Sequence, residues 1–107
     1  MMTVALSATG SGQYRLTGDL DFTSVVPLVL EGERVFAASP RVRIDLQGIG
    51  QANSAGLALL LEWVQQAKRR DQHLELVNLP ESLARIARIT NLAGLLPLGT
   101  DAATQLP

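Results

Sequence analysis

The feature that most restricts the fold is a change of hydrophobic period in the middle of the chain. Val42, Ile44 and Leu46 alternate with Arg43 and Asp45, the two-residue period of a half-buried strand. From residue 54 to residue 69 the period lengthens. With Leu57 at zero on a wheel stepping about 100° per residue, Leu60, Leu61, Val64 and Ala67 gather on one stripe. Residues 73 to 77, HLELV, then read as a strand again. A strand, a helix of this length and a second strand require a crossover connection, so the two strands are expected to lie parallel in one sheet.

The flanking segments extend this unit. Residues 2 to 7 and 13 to 16 are strand-like and are separated by Thr9-Gly10-Ser11-Gly12, a hairpin turn. Gly18-Asp19-Leu20-Asp21 reads as a loop. Thr23 or Ser24 can cap a helix reaching about residue 38, with Pro27 in its first turn. Val26, Leu30, Val35 and Phe36 supply its expected apolar face, and Gly32 weakens it. Ser39-Pro40 ends that helix. Asn78-Leu79-Pro80-Glu81 opens a third helix to about residue 90, with Leu83, Ile86, Ala87 and Ile89 inward. An apolar segment, 92 to 98, is expected over the end of the core. The order β-β-α-β-α-β-α implies an α/β domain with a mixed sheet. Residues 1–99 are expected to form one folded unit and 100–107 a loose tail.

Composition narrows the function. A hydrophobic fraction of 47% with 18% charged residues suits a packed globule. Nine basic residues against ten acidic ones leave no cationic surplus for a nucleic-acid backbone. The absence of cysteine removes thiolate nucleophiles, disulfides and zinc–thiolate sites. The N-terminus lacks the pattern of a signal peptide, and the longest apolar run, 56 to 61, is too short to span a bilayer. Membrane association is therefore expected only through a partner.

The catalytic motifs fail one by one. Gly48-Ile49-Gly50 meets Asn53 where a dinucleotide fingerprint needs its third glycine. Ala52-Asn53-Ser54-Ala55-Gly56 lacks the first glycine of a nucleophile elbow. His73 is the single histidine and starts a strand. Asp19 with Asp21, and Asp45 with Glu75, lack the further ligands of a metal site. No catalytic centre, cofactor or metal is expected.

What remains is the polar knot Asn53-Ser54-Ala55-Gly56 at the entry to the leucine-rich helix, and the far side of that helix. Asn53 and Ser54 are both preferred N-cap residues. Opposite the core stripe lie Leu59, Ala55 and Ala58, with Trp63 at the edge and Glu62, Gln65 and Gln66 nearby. Either this helix is covered on both sides, or the second side docks a partner with Trp63, the single tryptophan, as anchor. The docking reading assigns Asn53, Ser54, Ala55, Ala58, Leu59, Glu62 and Trp63 to a contact patch.

These residues resemble the STAS domain, the fold of anti-sigma-factor antagonists and of sulfate-transporter tails. The resemblance rests on Arg43-Ile44-Asp45-Leu46-Gln47-Gly48-Ile49, on Asn53-Ser54-Ala55-Gly56-Leu57, and on Asn78-Leu79-Pro80-Glu81-Ser82 and Thr90-Asn91-Leu92-Ala93-Gly94-Leu95-Leu96. It implies a sheet of four to five strands with helices mainly on one face. In the antagonists the second serine of an Asp-Ser-Ser-Gly knot accepts phosphate. Here Ala55 takes that position and has no hydroxyl, so a hydroxyl-dependent regulatory role would shift to Ser54. The run Gly56-Leu57-Ala58-Leu59-Leu60-Leu61 is similar to the stand-alone, MlaB-type STAS subunit of a phospholipid-trafficking ABC transporter. That resemblance implies a cytoplasmic, non-enzymatic accessory protein on the transporter's ATPase, held at the inner membrane through the complex. The alternative it implies is an antagonist binding an anti-sigma kinase.

Overall fold

A computed structural model of the chain describes residues 3–37 and 39–99. The expected tail, 100–107, lies outside them. The elements are β1 (Ala5–Gly10), β2 (Gln13–Leu20), α1 (Val25–Phe36), β3 (Arg41–Ala52), α2 (Ser54–Arg69), β4 (His73–Val77) and α3 (Glu81–Ile89), followed by a 3-10 turn at Ala93–Leu95. Their order is the expected one.

The four strands lie in sequence order across one sheet. β1 and β2 form an antiparallel hairpin, whereas β2–β3 and β3–β4 are parallel. Val42 stands opposite Leu74 and Ile44 opposite Leu76. On the far edge Leu98 makes a single parallel bridge to Leu76, and the Gly99 N–H donates to the Leu76 carbonyl at 2.7 Å. This contact is the rudiment of a fifth strand. Val42, Ile44 and Leu46 are buried beneath the helices, while Arg41, Arg43 and Gln47 on the opposite face are exposed.

β2 and β3 run further than their hydrophobic patterns suggest. Gly18 and the Gly48-Ile49-Gly50 stretch break the alternation, yet Thr17 pairs with Gly48, Gly18 with Ile49 and Leu20 with Ala52. Cross-strand pairing outweighs the poor local propensity of glycine here. Gly18 has φ +101°, and a Cβ there would stand 2.6 Å from the Val4 Cα. Only glycine allows the N-terminal strand to approach that closely.

α1 corrects the reading of its inward face. Leu28, Gly32 and Phe36, at i, i+4 and i+8, are the buried positions. Val26 and Leu30 are 62% and 66% exposed. The helix is rotated so that Gly32 meets Trp63 of α2: a Cβ on Gly32 would lie 2.8 Å from the indole Cδ1. Phe36 stacks edge-on to Trp63 at 5.3 Å and Tyr14 edge-on to Phe36 at 5.1 Å. Side-chain donors fix the register of the packed helix. Trp63 Nε1 donates to the Leu28 carbonyl at 3.2 Å, Gln66 Nε2 to Val29 at 3.2 Å, and Arg70 Nη2 to Glu33 at 3.0 Å. The Tyr14 hydroxyl donates to Val35 at 2.9 Å, and Gln72 Nε2 donates to the Phe36 carbonyl at the helix end.

In α3, Leu83 and Ala87 are buried, but Ile89 is 77% exposed rather than inward. The chain turns there: the Leu92 N–H donates to the Ala87 carbonyl at 2.8 Å, and Leu96 takes the next core place.

Two measurements test this packing. Gly32→Ala would gain about 1 kcal/mol from helix propensity alone. Overpacking against the indole costs about 1–3 kcal/mol, so the expected result is a net loss of stability and a lower urea midpoint. The second concerns Asp45, on β3 opposite Val77 of β4. Partial burial pushes its carboxyl up, but hydrogen bonds from Asn78 Nδ2, the Gln47 N–H and Arg15 outweigh burial and hold it below its ordinary 3.8. A depressed aspartate contributes stability that is complete above the ordinary value and is lost as pH falls through the folded one. Asp45→Asn is therefore expected to flatten the acid limb of the stability curve below about pH 4.

Candidate functional site

β2 and β3 end side by side, and α1 and α2 start from their ends. In open α/β sheets this C-terminal edge is where binding sites collect. Asn53 is the N-cap of α2: its backbone is extended, and its Oδ1 accepts from the Ala55 N–H at 2.9 Å. Ser24, one of the two expected residues, holds the N-cap position of α1 but makes no side-chain cap bond; Asp21 closes the turn ahead of it, with Oδ1 accepting from the Thr23 and Ser24 N–H groups at 2.9 and 2.8 Å. Those hydrogen bonds, from Ser24 first and then Thr23, hold the Asp21 carboxyl below its ordinary 3.8. It is ionised at neutral pH.

The two loops are laced together. The Asn53 N–H donates to the Leu20 carbonyl at 3.3 Å, and the Gln51 N–H donates to Asp19 Oδ1 at 2.8 Å. The Ser24 hydroxyl donates to the Asp19 carbonyl at 2.8 Å and accepts from the Asp21 N–H at 2.9 Å. Asp19, Leu20, Asp21, Gln51, Ala52 and Asn53 line a shallow notch between the helix starts.

This lacing resolves the polar knot. Asn53 alone caps α2. Ser54, the first helical residue, is exposed, and its hydroxyl makes no hydrogen bond among the described residues. Of the expected patch, Asn53, Ser54 and Ala58 are exposed, and Glu62 is part-exposed with an ion pair to Arg69 at 3.4 Å. Ala55, Leu59 and Trp63 are each only 1% exposed, so they do not belong to a docking surface. The physical reason is that α2 has three neighbours, the sheet and a helix on either flank. Leu59 and Trp63 belong to the α1 flank. The outward stripe of α2 is Ser54, Ala58, Gln65 and Lys68.

The structure adds residues to the patch. Phe22, Val26 and Leu30 follow each other at four-residue spacing and are 69%, 62% and 66% exposed. Phe22 follows directly on Asp21, as Ser54 follows on Asn53, so this apolar row starts beside the notch. The spacing was visible in the sequence. Its direction was not, because the inward-facing position Gly32 carries no side chain to mark the buried side.

Sequence comparison agrees with this architecture. The family model described as "Mlab, STAS domain" matches residues 4–97. The chain belongs to this STAS-domain family. Solved structures of the same fold include the anti-sigma factor antagonist SpoIIAA in its unphosphorylated form, with TM-score 0.68 and 13% identity over 94% of this chain and 90% of that one. An anti-sigma factor antagonist from Mycobacterium paratuberculosis aligns with TM-score 0.69 and 20% identity over 96% and 89% of the two chains. At such identities these two likenesses establish the fold alone. No curated protein matches the chain by sequence. STAS domains mediate protein–protein contacts. Among the described residues of this one, no helix is long and apolar enough to cross a membrane.

The site geometry sets an expectation for the knot. Asn53→Ala removes the α2 cap and should cost about 1 kcal/mol, whereas Ser54→Ala should change the melting temperature little. Equal losses for the two substitutions in thermal unfolding would contradict the assignment of the cap to Asn53.

Proposed function

We propose that the chain is a non-catalytic accessory subunit. In this reading it binds the cytoplasmic ATPase of a phospholipid-trafficking ABC transporter and supports its assembly and activity. The observation that carries the proposal is the exposed apolar row Phe22, Val26 and Leu30 at the start of the helix layer, beside exposed Ser54 and Ala58. Large side chains of this kind, grouped and rimmed by polar residues, mark a partner surface. The match to a family described as Mlab supports the choice of partner. Ala55 supports it as well: it is buried and has no hydroxyl, so the phosphate switch of an anti-sigma antagonist cannot operate at that position.

Ser54, in this reading, offers a short polar contact where the partner comes closest. The outward face of α1 supplies the apolar area. Pull-down of the ATPase with purified variants tests the arrangement. Val26→Lys, Leu30→Glu and Ser54→Glu are each expected to abolish capture while leaving the melting temperature within a few degrees of wild type. Leu59→Lys is expected to unfold the chain, because its side chain is only 1% exposed in the hydrophobic core. Wild-type capture by all three surface variants would remove the site assignment.

A further inference from the structure

The two margins of the sheet are unlike. On the β4 side the chain closes its own edge, where Leu98 bridges Leu76 and the Gly99 N–H donates to the Leu76 carbonyl. On the other side, among the described residues, β1 pairs with β2 alone. Its outer side therefore presents unpaired main-chain N–H and C=O groups, a template for another strand. Edges of this kind are ordinarily guarded by lysine, by an inward-pointing charge or by proline. Here the chain holds no charged residue and no proline from Thr3 to Tyr14. The nearest cation is drawn away from the edge: Arg15, opposite Ser7, reaches across to Asp45 of β3 at 3.3 Å. The register shift between β1 and β2 falls between Ala8 and Gly10, at the turn, and leaves the stretch ahead of it regular.

The side chains of this strand match themselves. Val4 and Leu6 are half-buried against the core, with Leu6 opposite the fully buried Leu16. Ala5 and Ser7 alternate with them and are exposed. We propose that β1 is the contact surface for a second copy of this chain, joined antiparallel about a two-fold axis at Leu6. That register sets Leu6 against Leu6, Val4 against Ala8 and Ala5 against Ser7. Every pair joins residues of the same face, so the half-exposed Val4 and Leu6 side chains of the two copies cover one another. A two-fold interface has to be complementary to itself. An uncharged strand with a leucine at its midpoint and small residues around it meets that condition, and it offers a charged partner segment no countercharge. Each copy has one open edge, so association stops at two. The row Phe22, Val26 and Leu30 lies on α1 and takes no part, which makes this contact independent of the ATPase reading.

Sedimentation equilibrium of the purified chain tests the contact. The added ladder is short, so the expected dimer is weak, with a Kd of about 10–100 µM. Ala5→Lys/Ser7→Lys places lysines along the edge on the exposed face, and is expected to weaken the dimer more than tenfold. Its melting temperature at low concentration is expected to match wild type; if the double variant is unfolded, Ser7→Lys alone carries the same expectation. Gln47→Lys, exposed on the same sheet face but on β3, and Val26→Lys, on the α1 row, are expected to dimerise as wild type. A wild type that stays monomeric up to about ten times the expected Kd overturns the proposal. So does a folded edge variant that dimerises like wild type, or a mass that climbs beyond the dimer.

Discussion

The contact between Trp63 and Gly32 organises the helix layer. A glycine in the middle of a helix costs about 1 kcal/mol relative to alanine, and here it removes the one Cβ that would hold α1 away from the indole. Burying an aromatic of this size is worth about 3–5 kcal/mol by the cost of truncating it. Each of the hydrogen bonds from Trp63, Gln66, Arg70, Tyr14 and Gln72 to α1 carbonyls nets about 1 kcal/mol. Packing therefore holds the helix in place, and the hydrogen bonds set its rotation and register. Once that rotation is fixed, Leu28 and Phe36 face the core and Val26 and Leu30 face away from it. The docking face follows from how α1 is packed.

The sequence carried the topology well. The change from two-residue to helical period around Asn53, and back at His73, was enough to give the parallel β3–α2–β4 unit. It was less informative wherever a glycine stood. Gly18 and Gly48 hid the true lengths of β2 and β3, since pairing between the strands compensates for weak local preference. Gly32 hid the inward face of α1, because a buried glycine leaves no apolar mark in the pattern. The sequence leaves Trp63 and Leu59 open between a covered side and a docking side for a related reason. A wheel with two apolar sides describes equally a docking helix and one flanked by a second helix, and only the packed arrangement tells them apart.

The knot itself divides into separate tasks. Asn53 closes the helix end, Ala55 and Gly56 are small because they are buried, and Ser54 is left as the exposed residue. A Cβ on Gly56 would come within 3.1 Å of the Leu20 side chain, so the junction is tight on its inner side and open on its outer side. The same lacing brings the carboxylate-bearing loop of α1 against the start of α2. A polar notch and an apolar row thus become neighbours without either being built from the other's residues.

Trp63 is the single tryptophan of the chain, so its fluorescence reports directly on the contact that anchors this account. The account predicts blue-shifted emission from the isolated protein, weak quenching by acrylamide, and no change in either when the ATPase partner is added. Red-shifted, readily quenched emission that moves to the blue on binding would show instead that Trp63 lies on the surface as the interface anchor, and would contradict the placement of α1.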